Sequence, residues 1–182
     1  MNRLFIALPV ENKIIDYIFQ KLSQEESFKL FRWEKKENIH ITLKFLGDTE
    51  GNFISSIDKE LEKIAIKYSS FTLKLNKLGT FNKNGNPFIL WFNFNKSDTV
   101  NLLQKDLEEC LSELGYNKET REFYPHVTLL RVKNEKDSQY IKKYKEIELE
   151  PVQYILNEFY LVKSELTSKG SVYTKIKTYK LK

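Results

Sequence analysis

The sequence predicts an α+β fold made of two related lobes. Short apolar strands alternate with a few amphipathic helices, and hairpin-length connections favour antiparallel pairing. In addition, one tetrapeptide pattern, histidine-apolar-threonine-leucine, occurs once in each half of the chain. No low-complexity segment or linker separates the halves, so we expect residues 1–182 to form one bilobal domain.

The first half of the chain contains three predicted strands and two predicted helices. Residues 3–9 are a β-prone run that ends at a proline. Apolar side chains at helical spacing predict helices over residues 13–22 and 53–68. Residues 28–33 and 39–46 predict two strands that are separated by a short polar turn.

The second half also alternates strands with helices, and it contains more strands. Alternating and β-prone runs predict strands over residues 71–78, 87–94, 125–132, 152–162 and 172–181. Helical spacing predicts helices over residues 100–114 and 138–145. The last two strands are expected to form a hairpin around Gly170.

Composition limits the classes of protein that fit this chain. Its 182 residues are 41% hydrophobic and 14% aromatic, which excludes a disordered chain. A formal net charge of +5 favours acidic partners such as nucleic acid, although a Lys-rich solvated surface explains the same number. No apolar stretch reaches the roughly 20 residues that span a bilayer.

The cysteine content and the N-terminus bear on location. Cys110 is the only cysteine, so no intramolecular disulfide can form, and its apolar neighbours favour a buried, inert thiol. The N-terminal apolar run is too short and too soon interrupted for a signal peptide. We therefore expect a cytoplasmic monomer with no membrane association and no obligate protein partner.

The two histidines of the chain carry its chemistry. His40 and His126 are the only histidines, and each begins one copy of the repeated tetrapeptide. A strand has a side-chain period of two, so His40 shares a face with Thr42, and His126 shares a face with Thr128. Each half thus presents one imidazole beside one hydroxyl on a strand that is backed by apolar residues.

This pairing suits metal-free acid–base chemistry at phosphorus. One imidazole can take the proton of an attacking water while the other protonates the departing oxygen. Threonine hydroxyls can hold the non-bridging phosphate oxygens. A single strand histidine is more often structural, but two copies of one pattern are hard to attribute to chance. A zinc site would need further ligands at close spacing, which the sequence does not supply.

The chain resembles the 2H phosphoesterase superfamily, and within it the RNA 2′,3′-cyclic phosphodiesterases that are also described as 2′-5′ RNA ligases. The resemblance covers nearly the whole chain and is most specific around the two histidine motifs. It implies a pseudo-twofold α+β fold in which two antiparallel sheets face a central cleft, with helices outside. The matching segments are RLFIALP, Trp33 with ENIHITLKFLGD, PFILW, REFYPHVTLLR, and FYLVKS with Gly170 and Tyr173.

The resemblance also implies an activity and roles for the motif residues. It implies hydrolysis of a 2′,3′-cyclic phosphate at an RNA end to a 2′-phosphomonoester, without a cofactor or metal. His40 corresponds to the proton donor and His126 to the proton acceptor, and Thr42 and Thr128 correspond to phosphate-binding hydroxyls. Candidate substrates are RNA ends, including those of tRNA fragments, and cyclic nucleotides.

Two alternatives stay open at this point. The same site could cleave or join 2′-5′ linkages, because a 5′-hydroxyl can replace water as the nucleophile and the same site can catalyse that transfer in both directions. A non-catalytic module that binds RNA ends or nucleotides would also keep histidines as ligands.

Other residues are weaker candidates for substrate contacts. In a regular strand, Lys44 faces the same side as the first histidine, whereas Phe45 faces the buried side. Arg131 has the wrong parity for the second histidine's face unless the strand contains a bulge. Relatives often carry a basic residue where this chain has Phe88. Cations that could replace it are Arg3, Lys44, Arg121 and Arg131. Among the aromatic residues, Tyr124 and Tyr173 are the candidates for cleft contacts that could stack on a terminal base.

Overall fold

A computed structural model describes residues 2–132, 134–168 and 170–182 of the chain. It contains eight strands and four α-helices over these residues, joined by short 3-10 turns. The strands are Asn2–Pro9 (β1), His40–Thr49 (β2), Phe71–Lys83 (β3), Asn86–Phe94 (β4), His126–Arg131 (β5), Gln153–Leu156 (β6), Glu158–Thr167 (β7) and Gly170–Lys180 (β8). The helices are Asn12–Leu22 (α1), Ile54–Ala65 (α2), Asp98–Glu113 (α3) and Ser138–Lys145 (α4).

The strands form two four-stranded antiparallel sheets. The first sheet has the order β2-β1-β7-β8, and the second has the order β5-β4-β3-β6. Each motif strand therefore lies at the edge of its sheet and pairs with one inner strand, which is β1 for β2 and β4 for β5. This correspondence confirms the predicted α+β fold with two pseudo-symmetric lobes.

Both motif strands contain a β-bulge at the same place. In β2, Thr42 pairs with Ala7 and Lys44 pairs with the adjacent Ile6. Leu43 is therefore an extra residue that has no partner in β1. Such an extra residue reverses the alternation of side chains beyond it. Leu43 and Lys44 are accordingly both buried, and the next residue is exposed.

The second lobe repeats this irregularity. In β5, Thr128 pairs with Trp91 while Leu130 pairs with Leu90, which makes Leu129 the extra residue. Leu129 and Leu130 are both buried. The bulge thus follows the threonine of each motif directly, and the two strands have the same sequence of inward and outward side chains.

One continuous core joins the lobes. It contains the apolar faces of the strands and of all four helices, and its largest fully buried side chains come from both halves of the chain. Helix α4 packs on β3 and β4, whereas α2 packs on β8 and α3. Helix α3 begins after Ser97, whose hydroxyl accepts the Val100 N–H at 3.4 Å, and it also packs on β2 of the other lobe.

Two of the predicted strands are wrong. Residues 28–33 form no strand; Glu26–Leu30 is a 3-10 turn, and Phe28 stacks on Trp33 with ring centroids 4.8 Å apart. Their aromatic side chains pack against the core instead of extending a sheet, so packing overrides β-propensity. Residues 152–162 form two strands, β6 and β7, which belong to different sheets and are separated by Asn157.

The remaining predicted strands and helices are confirmed, with shifts of a few residues at their ends. In the parts of the chain that the structure describes, no helix combines the length and the apolar character that crossing a bilayer requires.

Candidate active site

A cleft of about 760 Å³ lies between the two sheets, and both tetrapeptide motifs line it. His40 and Thr42 come from the edge strand of one sheet, and His126 and Thr128 from the edge strand of the other. The structure therefore brings together the four residues that the repeated pattern singles out. The cleft has two walls of similar construction, with one imidazole and one hydroxyl on each.

Two hydrogen bonds orient the ring of His40. Its Nδ1 donates to the carbonyl oxygen of Asn38 at 2.7 Å, and its Nε2 lies 3.1 Å from the hydroxyl of Thr42. Because a carbonyl can only accept, Nδ1 carries the proton and Nε2 accepts from the threonine. Phe5 and Tyr173 pack against the ring, with centroids at 4.8 and 5.3 Å.

The Nδ1 contact recurs at His126. Its Nδ1 donates to the carbonyl oxygen of Tyr124 at 2.8 Å, again two residues earlier in the chain. Phe81 lies edge-on against the imidazole at 4.7 Å. The two lobes thus use the same backbone contact to fix one tautomer in each histidine, with Nε2 as the basic atom.

The surroundings keep both histidines neutral. Burial lowers the pKa of His40 to about 4, although its bond to the Asn38 carbonyl opposes this shift, and repulsion from His126 lowers the pKa further. Burial also lowers the pKa of His126, against the bond to the Tyr124 carbonyl, and the nearby Arg131 adds to the lowering. At neutral pH each Nε2 is therefore unprotonated.

The bulge in β2 reverses two expectations. Lys44 does not face the cleft: its side chain is only 3% exposed and pairs with Glu108 on the opposite side of the strand. Phe45 is not buried: it is 68% exposed and lines the cleft. The prediction assumed regular alternation after Thr42, and the extra residue shifts both side chains by one position.

The bulge in β5 explains how Arg131 reaches the cleft. The irregular step returns this residue to the face of His126, and its guanidinium lies 3.5 Å from the hydroxyl oxygen of Thr128. A cation thus stands beside one of the two hydroxyls. By pseudo-symmetry the position of Arg131 corresponds to that of Phe45, so one cleft wall carries a charge where the other carries an aromatic ring.

The other candidate contacts fall into two groups. Tyr173 and Arg3 line the cleft. Tyr124 lies outside the cleft lining and is 43% exposed, and its hydroxyl accepts from the buried amide of Asn93 at 2.8 Å. Arg121 is also outside the lining, with a side chain that is 90% exposed.

Sequence reasoning missed the segment before β2. Residues 30–35 and Asn38 line one side of the cleft, and the N–H of Glu34 donates to the Leu129 carbonyl of β5 at 2.8 Å. The Asn38 amide donates to the Ser171 carbonyl at 3.1 Å, so this residue joins the β7–β8 hairpin to the histidine that its own carbonyl orients. Its position two residues before the histidine is the only sequence signal, and an alternating pattern does not reveal it.

Over the described residues, no three His, Cys, Asp or Glu side chains come together as a metal site would require.

Sequence comparisons match this chain to a known family. A sequence model of the 2′-5′ RNA ligase superfamily matches residues 16–167. An RNA 2′,3′-cyclic phosphodiesterase of Methanocaldococcus jannaschii is 32% identical over 181 residues, which cover 97% of this chain and 99% of that protein. An RNA 2′,3′-cyclic phosphodiesterase of Aquifex aeolicus is 30% identical, and the match covers 93% of each.

Solved structures share the fold. The protein TT0787 of Thermus thermophilus superposes with a TM-score of 0.80 at 21% identity, and the match covers 98% of this chain and 97% of that chain. Escherichia coli LigT complexed with 3′-AMP gives a TM-score of 0.79 at 23% identity over 99% and 98% of the two chains. At these identities, the two structures show that the fold is shared.

Proposed function

The chain belongs to the 2′-5′ RNA ligase superfamily, and on that premise we propose that it hydrolyses 2′,3′-cyclic phosphate ends of RNA to 2′-phosphomonoesters. One observation carries the proposal: two imidazoles with the same orienting contact, each beside a threonine hydroxyl, line opposite walls of one cleft. Relatives that match almost end to end carry the name RNA 2′,3′-cyclic phosphodiesterase.

The reaction requires two proton transfers on opposite sides of phosphorus. In this proposal, Nε2 of His126 takes a proton from water as its oxygen attacks, and Nε2 of His40 protonates O3′ as the P–O3′ bond breaks. The products are a 2′-phosphomonoester and a free 3′-hydroxyl. Each such transfer contributes roughly 10²–10⁴-fold to the rate.

His40 must gain its proton before it can donate one. The pKa of about 4 disfavours the imidazolium at neutral pH. A bound cyclic phosphate carries a negative charge, and an anion next to an imidazole raises its pKa. Substrate binding would therefore favour protonation of His40, the proton donor. Because Nε2 of His40 is unprotonated at neutral pH, the same geometry would also allow swapped roles, with His40 as the base.

Three groups are proposed to hold the phosphate. The hydroxyl of Thr42 bonds to Nε2 of His40, Thr128 lines the cleft on the strand of His126, and the guanidinium of Arg131 approaches the Thr128 hydroxyl. Hydroxyls can donate to the non-bridging oxygens, and a guanidinium stabilises charge that builds on them in the transition state. Thr42 already bonds to Nε2 of His40, so it would exchange that bond for one to phosphate.

The remainder of the cleft suits a nucleotide chain. The exposed ring of Phe45 offers a stacking surface for a base, and Tyr173 lies beside His40. Arg3, Lys35 and Arg131 add positive charge to the lining. A cleft of about 760 Å³ has room beyond a single nucleotide. We therefore propose oligonucleotide ends, such as those of tRNA fragments, as substrates ahead of cyclic mononucleotides.

The half-buried Cys110 bears on the setting. Burial raises the pKa of its thiol to about 11, which keeps it protonated and unreactive at neutral pH. A reducing, cytoplasmic setting is part of the same proposal, because the chain has no second cysteine for a disulfide.

The test is hydrolysis of a 2′,3′-cyclic-phosphate oligonucleotide in the presence of EDTA, with the product phosphate located by NMR. We expect turnover and a 2′-phosphate. Loss of activity in EDTA would contradict the metal-free mechanism, and a 3′-phosphate would show that the other ester oxygen leaves. Binding without turnover would favour a non-catalytic module. Ligation in the presence of a 5′-hydroxyl acceptor would identify a 2′-5′ ligase reaction at the same site, in which that hydroxyl replaces water as the nucleophile.

A further inference from the structure

A buried ion pair lies behind the active site, on the side of β2 that faces away from the cleft. Lys44 Nζ donates to Glu108 Oε2 at 2.6 Å, and the two side chains are 3% and 11% exposed. The other salt bridges of the described residues each include a side chain that is at least 33% exposed. Among these pairs, it is thus the one in which both side chains are removed from solvent.

The pair connects the two lobes. Lys44 belongs to β2, two residues after the first motif's threonine, whereas Glu108 belongs to α3 of the second half. The same groups also hold residues 114–125, the loop that leads from α3 to His126. Lys44 Nζ donates to the Asn117 carbonyl at 2.9 Å, and Glu108 Oε2 accepts the Glu119 N–H at 3.1 Å.

Two further contacts complete this network. Gln104 donates to the second carboxylate oxygen of Glu108 at 3.0 Å. The hydroxyl of Tyr116, in the same loop, donates to the Thr49 hydroxyl of β2 at 3.2 Å. The loop that ends at the second catalytic strand is therefore attached to the first catalytic strand at two separate places.

Pseudo-symmetry shows that the fold does not require a charge here. The equivalent position after the bulge in β5 is Leu130, which is buried in the core. Desolvating two charges costs about as much as their attraction returns, so a buried pair contributes little net stability. What it does provide is a fixed direction and distance between the groups it joins. A second function is the better account of Lys44.

We propose that Lys44 and Glu108 are positioning residues that set the placement of His126 relative to His40. The inference rests on the proposed two-histidine function. The chain of contacts runs from β2 through the ion pair to the loop, and from the loop to the Tyr124 carbonyl that orients His126. Neither charged side chain touches the cleft, so both act through the imidazoles.

The decisive variant is the double substitution Lys44→Met and Glu108→Gln. It removes both charges together, keeps the volume, and leaves an amide oxygen that can accept the Glu119 N–H. We expect Tm within about 5 °C of the wild type. We expect kcat to fall by about 10²-fold with KM changed less than threefold, because the geometry of the reacting groups is lost and substrate contacts are not.

The matched control is the pair Lys177→Met and Asp58→Asn, which removes a salt bridge between β8 and α2. That pair joins two elements without touching the loop before His126, so kcat should be unchanged. A double variant at Lys44 and Glu108 that keeps wild-type kcat would overturn the proposal. So would a fall in kcat that tracks the fall in Tm across both pairs of variants.

NMR provides a readout that does not depend on turnover. Since the chain has only two histidines, each imidazole gives its own resonance in a carbon-13 spectrum. The proposal expects the His126 resonance to move in the Lys44 and Glu108 variant and to stay in place in the control; an unmoved resonance would refute it. If the wild type fails to cleave a cyclic phosphate, the proposed function fails, and this spectrum still decides the positioning claim.

Discussion

At the scale of single residues, the surroundings of His40 and His126 fix which ring nitrogen faces the chemistry and keep both imidazoles neutral. Each Nδ1 is committed to a backbone carbonyl, so each Nε2 is the atom left for chemistry. Burial then lowers both pKa values. The sequence predicts the two histidines and their threonines, because strand periodicity is local. It does not predict that both pKa values are lowered, because this depends on groups distant in the chain.

The depressed pKa of His40 has a consequence for stability. The unfolded chain binds a proton on this histidine near pH 6.5, whereas the folded protein binds it only near pH 4. The folded state therefore loses stability as the pH falls between these values. The His40→Gln variant lacks this group and does not lose this stability. We therefore expect its unfolding free energy, minus that of the wild type, to increase by about 2–3 kcal/mol as the pH falls from 7 to 4.

Urea denaturation of both proteins at several pH values measures this difference. The variant His126→Gln is the control, since its smaller burial should give a smaller change of the same sign. A difference between His40→Gln and wild type that stays constant with pH would show that the His40 pKa is not depressed.

At the scale of elements, the two bulges decide which side chains reach the cleft. A regular strand would direct Lys44 inward and bury Phe45, and the bulge at Leu43 reverses both. The sequence could not predict this, because a bulge depends on pairing with a neighbouring strand. The sequence analysis named a bulge as the condition for Arg131 to join the site, and the structure supplies it.

The position of Phe45 makes a clear prediction. Because its ring is 68% exposed, we expect Phe45→Ala to lower the unfolding free energy by less than about 1 kcal/mol, where a buried phenylalanine would cost about 3–5 kcal/mol. If the ring stacks on a base, KM for an oligonucleotide should rise by about tenfold or more. Ile155→Ala is the control, as this side chain is equally exposed on β6 but outside the cleft lining. A large loss of stability in Phe45→Ala would place the ring in the core.

A close contact between the paired strands β3 and β4 helps to fix the position of His126. Gly79 pairs with Trp91, and a Cβ at Gly79 would lie 2.1 Å from the indole ring. The indole lies beside Tyr124, whose carbonyl orients His126. We expect Gly79→Ala to lower the unfolding free energy by about 1–3 kcal/mol and to shift the His126 NMR resonance.

Gly51→Ala is the matched control, because a Cβ there meets no atom within 4 Å. Its unfolding free energy should stay within about 0.5 kcal/mol of the wild type. Equal stability for the two alanine variants would contradict the close approach of the indole to β3.

At the scale of the whole molecule, the repeated motif predicts two lobes, but not how they are connected. The α+β class and most elements follow from periodicity and turn residues. The division of residues 152–162 between β6 and β7 does not, because apolar alternation gives no sign of which sheet a strand joins. The periodicity also does not show that residues 28–33 form no strand. Their aromatic rings pack against the core from a segment that begins as a 3-10 turn. Strand pairing between distant parts of the chain decided the first case, and packing of the aromatic rings against the core decided the second.

The most direct test of the two-histidine account is single-turnover cleavage of a 2′,3′-cyclic-phosphate RNA by His40→Ala, His126→Ala and the double variant, with folding checked by circular dichroism. We expect each single variant to lose about 10²–10⁴-fold in rate, and the double variant to lose less than the product of the two, because paired groups act as a unit. A folded single variant whose rate stays within a few-fold of the wild type would contradict the account.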